Sequence, residues 1–418
     1  MRKFTEHNPI GKEEIDAGKK VIESGNLSGF YAQDLSKFYG GKKVLKFEKD
    51  IKKFFKVKYA ITVNSWTSGL IASIGSIDIK PGDEIILPPF TMSACAASIL
   101  HWSAIPVFAD VDPKTFCLSP KSVLKKITKK TKAIMLVDIT GHPSDIDSFN
   151  KIAKKYKLKI IIDAAQSIGA KYIKKKKYTG TVGDVGGYSF NIHKHINTGE
   201  GGVIVTNNKN IANKAYLIRN HGENMVNKIK TNNLSNLIGY NFRLGEIEAA
   251  IGIEQLKKLP KILKKIQKNG ELLNKELKKL EGLEVPEIDN KVITHAYYTY
   301  GLKLNTKKIK FSRKKIVKML RNLGVPCGEG YLNIHLLTLF KKKIAYGKKD
   351  FPWNLNKNRS YKYKIGDMPV AEDLHFKSYI GIGLTHYNFT TDDIYYIINA
   401  FRKVWTKLGL KIINDNRR

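Results

Sequence analysis

The sequence is poor in cysteine, arginine and acid, and it has no long apolar run. Its 418 residues hold three cysteines, Cys95, Cys117 and Cys327, widely spaced and without a CxxC pair. An odd, scattered set of this kind excludes a disulfide framework and a cysteine zinc site, and fits thiols kept in a reducing compartment. No segment approaches the roughly 20 consecutive apolar residues that cross a bilayer. The opening MRKFTEHNPIGKEEI lacks the apolar core of a signal peptide, so the expected location is cytoplasmic, with no membrane partner. Acidic residues number 37 against 74 Lys+Arg, a formal charge of +37. Only nine of the basic residues are arginine, the side chain that reads bases by paired hydrogen bonds. The lysines run from end to end of the chain and are densest at Lys174 to Lys177. A solvated basic surface is expected, and no nucleic-acid footprint. No GxxxxGK[ST] occurs, and TGEGG precedes an apolar run where a dinucleotide loop would follow one, so neither phosphate-binding motif applies.

What is present is 42% hydrophobic residues, enough for a sizeable core, in a chain long enough for two or three domains. Short apolar runs recur: YAITVN, DEIILPPF, AIPVFADV, KAIMLVDI, KIIIDAA and GGVIVTN, each bounded by Gly, Pro, Asp or Asn. They read as strands. Pro120 to Ile127 and Ile146 to Tyr156 are amphipathic and read as crossover helices, so the fold class is α/β with a mostly parallel sheet covered on both faces. Beyond Asn241, Leu244, Ile247 and Ile251 begin a helical pattern. It is expected to break at Pro260, resume to about Leu280 and bridge to a smaller domain.

Ligands of such sheets bind beyond the carboxyl ends of the strands. VNSWTSGL ends a strand and enters a helix, placing Thr67 and Ser68 where hydroxyls and free N–H groups suit a phosphate or simply cap the helix. In IIIDAAQS, Asp163 leaves an apolar strand, either paired structurally or holding a cationic ligand atom. In YSFNIHKHINTGEGG, Lys194 lies between His193 and His195. On an extended segment the two histidines would share a face, as metal ligands or as imidazoles of a polar cleft, but no acidic or cysteine ligand is near in sequence and no metal is expected. A lysine amine, a strand-end carboxylate and a phosphate pocket are together what pyridoxal 5'-phosphate (PLP) requires.

YSFNIHKHINTGEGGVIVTN resembles the lysine segment of the DegT/DnrJ/EryC1/StrS aminotransferases, a PLP-dependent sugar aminotransferase family of fold type I. VNSWTSGLIASIGSIDIKPGDEIILPPFTMSA, DITGHPSDID, IIDAAQSIGA and IGYNFRLGEIEAAIGIEQLKKL resemble the family's other blocks, in the same order. The resemblance implies a large PLP-binding domain, residues 1–265, with a mostly parallel mixed sheet covered by helices. A smaller C-terminal α+β domain, residues 266–418, follows, with the N-terminal segment beside it. It places Lys194 on the lysine joined to the cofactor's aldehyde, and Asp163 on the acid facing the pyridine nitrogen. Gln166 falls near the ring oxygen, Thr67, Ser68 and Ser189 on phosphate ligands, and Met92 on the side chain over the ring. Asn241 falls on an asparagine that reaches the phosphate from the other subunit of a homodimer. Lys194 speaks against the family's 3-dehydratase branch, where histidine replaces that lysine. Trp66 departs from the pattern, standing where the phosphate turn usually has a small residue. The spacing of Gly29 from Gly40 and Gly41 is wide. GEGYLNIHLLTLFKKKIAYGKKDFPW and MPVAEDL resemble the scyllo-inosose and aminohydroxybenzoate branch as much as the perosamine type, and Tyr331 and His335 are candidates for the substrate side.

The implied reaction moves an amino group from glutamate or glutamine to a keto group of a nucleotide-linked deoxysugar. Amination of a keto-cyclitol such as scyllo-inosose is the alternative. A PLP-binding regulator that contacts nucleic acid is a reading of another class, disfavoured by the lack of any helix-turn-helix or zinc-finger pattern.

Overall fold

The computed structural model describes residues 2–347, 350–357 and 359–413. Met1, Lys348, Lys349, Asn358 and residues 414–418 lie outside it, so the outer limits of both expected domains and two positions of the GEGYLN stretch fall outside the described residues. The chain begins with helices α1 (Lys12–Glu23) and α2 (Lys42–Phe55), then alternates: β1 (Tyr59–Val63), α3 (Trp66–Ser76), β2 (Glu84–Leu87), α4 (Ala94–His101), β3 (Ile105–Phe108), α5 (Pro120–Leu124), β4 (Thr131–Val137), α6 (Ile146–Tyr156) and β5 (Lys159–Asp163). A small hairpin, β6 (Lys171–Tyr172) and β7 (Lys177–Tyr178), carries Lys174 to Lys176 in its turn, and β8 (Val185–Ser189), β9 (Gly202–Thr206) and α7 (Lys209–Arg219) follow.

Seven strands form one sheet in the order β1-β9-β8-β5-β4-β2-β3. β3, β2, β4, β5 and β8 pair in parallel, whereas β9 is antiparallel to both β8 and β1. The expected mostly parallel α/β sheet is therefore present, and only β9 runs the other way. Apolar strand residues are buried on both faces, as in Ile85, Ile86, Ile134, Met135, Ile161 and Ile162, because helices cover both sides. α6 shows the local logic. Asp145 caps it by accepting from the Ser148 N–H at 3.1 Å, Ile146, Phe149, Ile152 and Ala153 face the core, and the left-handed Lys157 ends it.

Three expectations need correction. α5 stops at Leu124 instead of reaching Ile127, because the Thr128 N–H turns to Thr131 Oγ1 at 2.9 Å and leads into β4. β8, sequence VGGYS, was not among the expected strands, since its two glycines hide the apolar run. Helix α8 (Glu246–Leu277) passes unbroken through Pro260 for 32 residues. Proline removes one backbone hydrogen bond there, but Leu256, Leu259, Leu263 and Ile266 bury on either side of it, and α1 and α2 pack along the same helix.

The C-terminal part contains β10 (Leu283–Glu284), β11 (Tyr300–Leu304), α9 (Arg313–Asn322), β12 (Cys327–Gly328), α10 (Thr338–Lys342), α11 (Pro369–Asp373), β13 (Tyr379–Ile382) and α12 (Thr391–Lys407). Its four strands make an antiparallel sheet, β10-β11-β13-β12, with a core of its own around Leu302, Ile316, Ile380, Ile397 and Trp405. The segment between α10 and β13 does not join that core. Trp353, Tyr361 and Tyr363 pack with the large sheet, where Arg359 pairs with Glu84 at 2.7 Å and the Tyr363 hydroxyl donates to the Pro106 carbonyl at 2.7 Å. Among the described residues no helix is long and apolar enough to cross a membrane.

Candidate active site

Since β1 and β8 are both antiparallel to β9, strands β1, β2, β4, β5 and β8 all point one way. Their carboxyl ends gather at one edge of the sheet, and a cavity of about 370 Å³ opens there. Thr67, Met92, Asp163, Gln166, Ser189 and Lys194 line it, drawn from separate strand ends.

Lys194 sits on a turn after β8, closed by its N–H donating to the Asn191 carbonyl at 2.9 Å. The turn sends its side chain inward, with Nζ 4.4 Å from the centroid of the Tyr298 ring. Burial lowers the amine's pKa to about 8, although the nearby charge of Asp163 acts to raise it. The same turn separates the flanking histidines. His193 is exposed at the cavity rim, whereas His195 is fully buried and held at 2.8 Å from the Ala296 carbonyl. They do not share a face, because the segment is turned and not extended; burial drops the His195 imidazole to about 4.

Asp163, at the end of β5, is gripped on both oxygens. Oδ1 accepts from the Trp66 indole N–H at 2.7 Å and from the Ala165 N–H at 3.1 Å, while the Cys95 thiol donates to Oδ2 at 3.1 Å. Burial, reinforced by the negative charge of Asp163, holds Cys95 well above the ordinary thiol range, so it stays protonated and able to donate.

Helix α3 starts beside this acid. Ser65 caps it, accepting from the Ser68 N–H at 3.1 Å, and the Ser65 and Ser68 hydroxyls lie 2.9 Å apart. Ser68 is thereby tied to the cap and does not itself line the cavity, whereas Ser65 and Thr67 do. The first N–H groups of the helix have no partner within it. Gln166 accepts the Thr140 N–H at 2.7 Å and donates to the Tyr331 hydroxyl at 3.0 Å. Tyr331 thus stands in the cavity wall, but His335 does not: it is buried against Glu372 at 3.2 Å. Met92 is half exposed at the rim. Asn241 is exposed and is not among the residues that line the cavity; its side chain accepts from Arg243 Nε at 2.7 Å, and its carbonyl accepts from Asn64 Nδ2 at 3.4 Å. Sequence reasoning missed Tyr298, Cys95 and the role of Trp66; only the unusual bulk of Trp66 in its turn carried a signal.

The donor set fits PLP. A buried amine of lowered pKa suits an aldehyde, a carboxylate at a strand end suits a protonated ring nitrogen, and the hydroxyls at a helix start suit a phosphate.

The profile of the DegT/DnrJ/EryC1/StrS aminotransferase family matches residues 31–359. A protein of Methanocaldococcus jannaschii without an assigned activity is 34% identical over 404 residues, 94% of this chain and 95% of its own. The GDP-perosamine synthase of Vibrio cholerae is 33% identical, covering 72% of this chain and 80% of its own. Among solved structures, an aminotransferase from Psychrobacter cryohalolentis superposes with a TM-score of 0.81 at 28% identity, over 97% of this chain and all of that one. Two further solved relatives, both GDP-4-keto-6-deoxymannose-3-dehydratases, hold PLP. The protein belongs to the DegT/DnrJ/EryC1/StrS aminotransferase family, and its cofactor is pyridoxal 5'-phosphate.

Proposed function

We propose that the protein transfers an amino group from glutamate or glutamine to the keto group of a nucleotide-linked deoxysugar. Bound PLP supplies an electron sink and carries the amino group between donor and acceptor. Lys194 is the observation on which the reading rests: a buried amine with a pKa of about 8 can hold or release a proton near neutral pH, as proton transfer at a substrate carbon demands. Asp163 would keep the ring nitrogen protonated, while Thr67 and Ser189 would hold the phosphate; Ser68, tied to the cap of α3, would act only by fixing that helix start. Gln166 would meet the ring oxygen, and Met92, at the rim, would cover the ring through its polarisable sulfur. The exposed position of Asn241 suits a homodimer in which Asn241 of the partner subunit completes each site. For the acceptor, the support is the perosamine synthase likeness and the surplus of lysine, which suits a diphosphate.

The test is a screen of nucleotide-linked keto-sugars and scyllo-inosose, with glutamate or glutamine as donor. Turnover of a nucleotide sugar is expected, with ping-pong kinetics. A nucleoside diphosphate should compete with the acceptor and weaken as salt rises. Turnover of scyllo-inosose alone, with no nucleotide competing, would move the protein to the cyclitol reading.

A further inference from the structure

Helix α3, entered just after β1, begins on a tryptophan where a small residue would suffice for a phosphate cradle. Trp66 is buried, 5% exposed, and the chain makes room for it. A Cβ at Gly187 on β8, or at Gly69 one turn along α3, would run into its ring. Two glycines on different elements therefore form a slot for the indole, and the slot points its only polar atom at Asp163, 2.7 Å away. The other oxygen of Asp163 is left to the thiol of Cys95 at 3.1 Å, a weak donor. The two holds are unequal: one oxygen is fixed by an indole and a backbone N–H, and the other is held by the group most easily displaced.

We propose that Trp66 is a positioning residue for the cofactor: its indole N–H aims Asp163, fixing Oδ1 so that Oδ2 is the oxygen offered to the ring nitrogen. A carboxylate held in one orientation would face a pyridine nitrogen squarely, and a carboxylate so placed favours the protonated ring. Trp66 also begins α3, so one residue links the phosphate turn to the acid and sets the spacing between the two ends of the cofactor.

This role rests on the assignment of Asp163 to the ring nitrogen, and the experiment separates the two. PLP labelled with nitrogen-15 in its ring is bound to the wild-type protein, to Trp66→Phe, to Asp163→Asn, and to a protein with benzothienylalanine, the indole isostere without an N–H, placed at position 66. The isostere keeps the shape of the ring, so it reports on the N–H even where phenylalanine leaves the slot too empty for a stable fold. The ring-nitrogen resonance and the PLP dissociation constant are read in each, with no turnover required. Both position-66 proteins are expected to shift the resonance towards the unprotonated ring and to raise the dissociation constant by about tenfold, the scale of one hydrogen bond to a charged group. If they match wild type while Asp163→Asn moves both readouts, Trp66 merely fills space and the proposal fails. If Asp163→Asn also moves neither, the assignment of Asp163 falls and takes the proposal with it.

Discussion

The ammonium of Lys194 lies over the ring of Tyr298, with Nζ 4.4 Å from the ring centroid. Tyr298 is itself buried, and its hydroxyl's pKa is raised by burial. The tyrosine therefore presents a neutral π face to the amine, stabilising the cation modestly where desolvation opposes it.

Lys194 should be the lysine that reacts at mild pH. In the protein freed of PLP, competitive labelling with an amine reagent should show Lys194 titrating near 8, the value set by its burial. In the window from about 8 to 10.5, the unfolded chain holds a proton at this site that the folded chain has lost, so this group's contribution to stability rises with pH there. Urea midpoints of wild type and Lys194→Met across that window check the sign: the difference in slope should vanish if the amine is not buried.

Borohydride treatment of the yellow holoprotein should fix PLP to Lys194, and peptide mapping should find the adduct on that residue. An adduct on another lysine would remove Lys194 from the chemistry.

If each cofactor site takes Asn241 from the partner subunit, Lys194→Ala and Asn241→Asp should each be inactive alone and complement when refolded together. Statistical mixing leaves one intact site in each mixed dimer, so about a quarter of wild-type activity should return. No recovery, with dimers seen by sedimentation, would contradict a shared site.

Arg219 is fully buried and pairs with Glu48 at 2.6 Å, and Glu48 also accepts the Thr62 N–H at 2.9 Å. This joins α7, α2 and β1 at the sheet's edge. Arg219→Met should cost about 3–5 kcal/mol, because it strands a buried carboxylate. Adding Glu48→Leu should recover part of that loss in urea melts.

Pro260→Ala should stabilise the protein by about 1–3 kcal/mol, since alanine restores an N–H to a helix that continues regardless. The gain is trimmed by the extra freedom of the unfolded chain. An unchanged denaturation midpoint would mean the helix has adapted fully to the proline.

The large sheet was legible because its strands are continuous apolar runs that end in Asn, Asp or Pro. The same rule hid β8, whose Gly186 and Gly187 carry no apolar signal; a side chain at Gly187 would meet both the Val203 carbonyl of the neighbouring strand and the ring of Trp66, far away in sequence. Pro260 misled because local propensity predicts a break, whereas burial along α8 decides the outcome. Lys194 and Asp163 could be read from their strand ends. Tyr298 and Cys95 could not: Tyr298 comes from a distant segment, and nothing local distinguishes Cys95 from an ordinary buried thiol. The histidine pair failed on periodicity: alternation holds in a strand, and residues 191–200 form turns.

The outer strand of the large sheet, β3, is closed by residues that come much later in the chain. Pro106 receives the Tyr363 hydroxyl, and Asp110 accepts the N–H groups of Val370 and Ala371 at 2.9 Å each. During synthesis β2 and β3 leave the ribosome long before their cover exists. Until that segment arrives, the nascent chain carries an open sheet margin, the kind of surface that recruits strands from other molecules. Truncation after the large sheet would therefore be expected to yield a chain prone to self-association, its margin permanently bare.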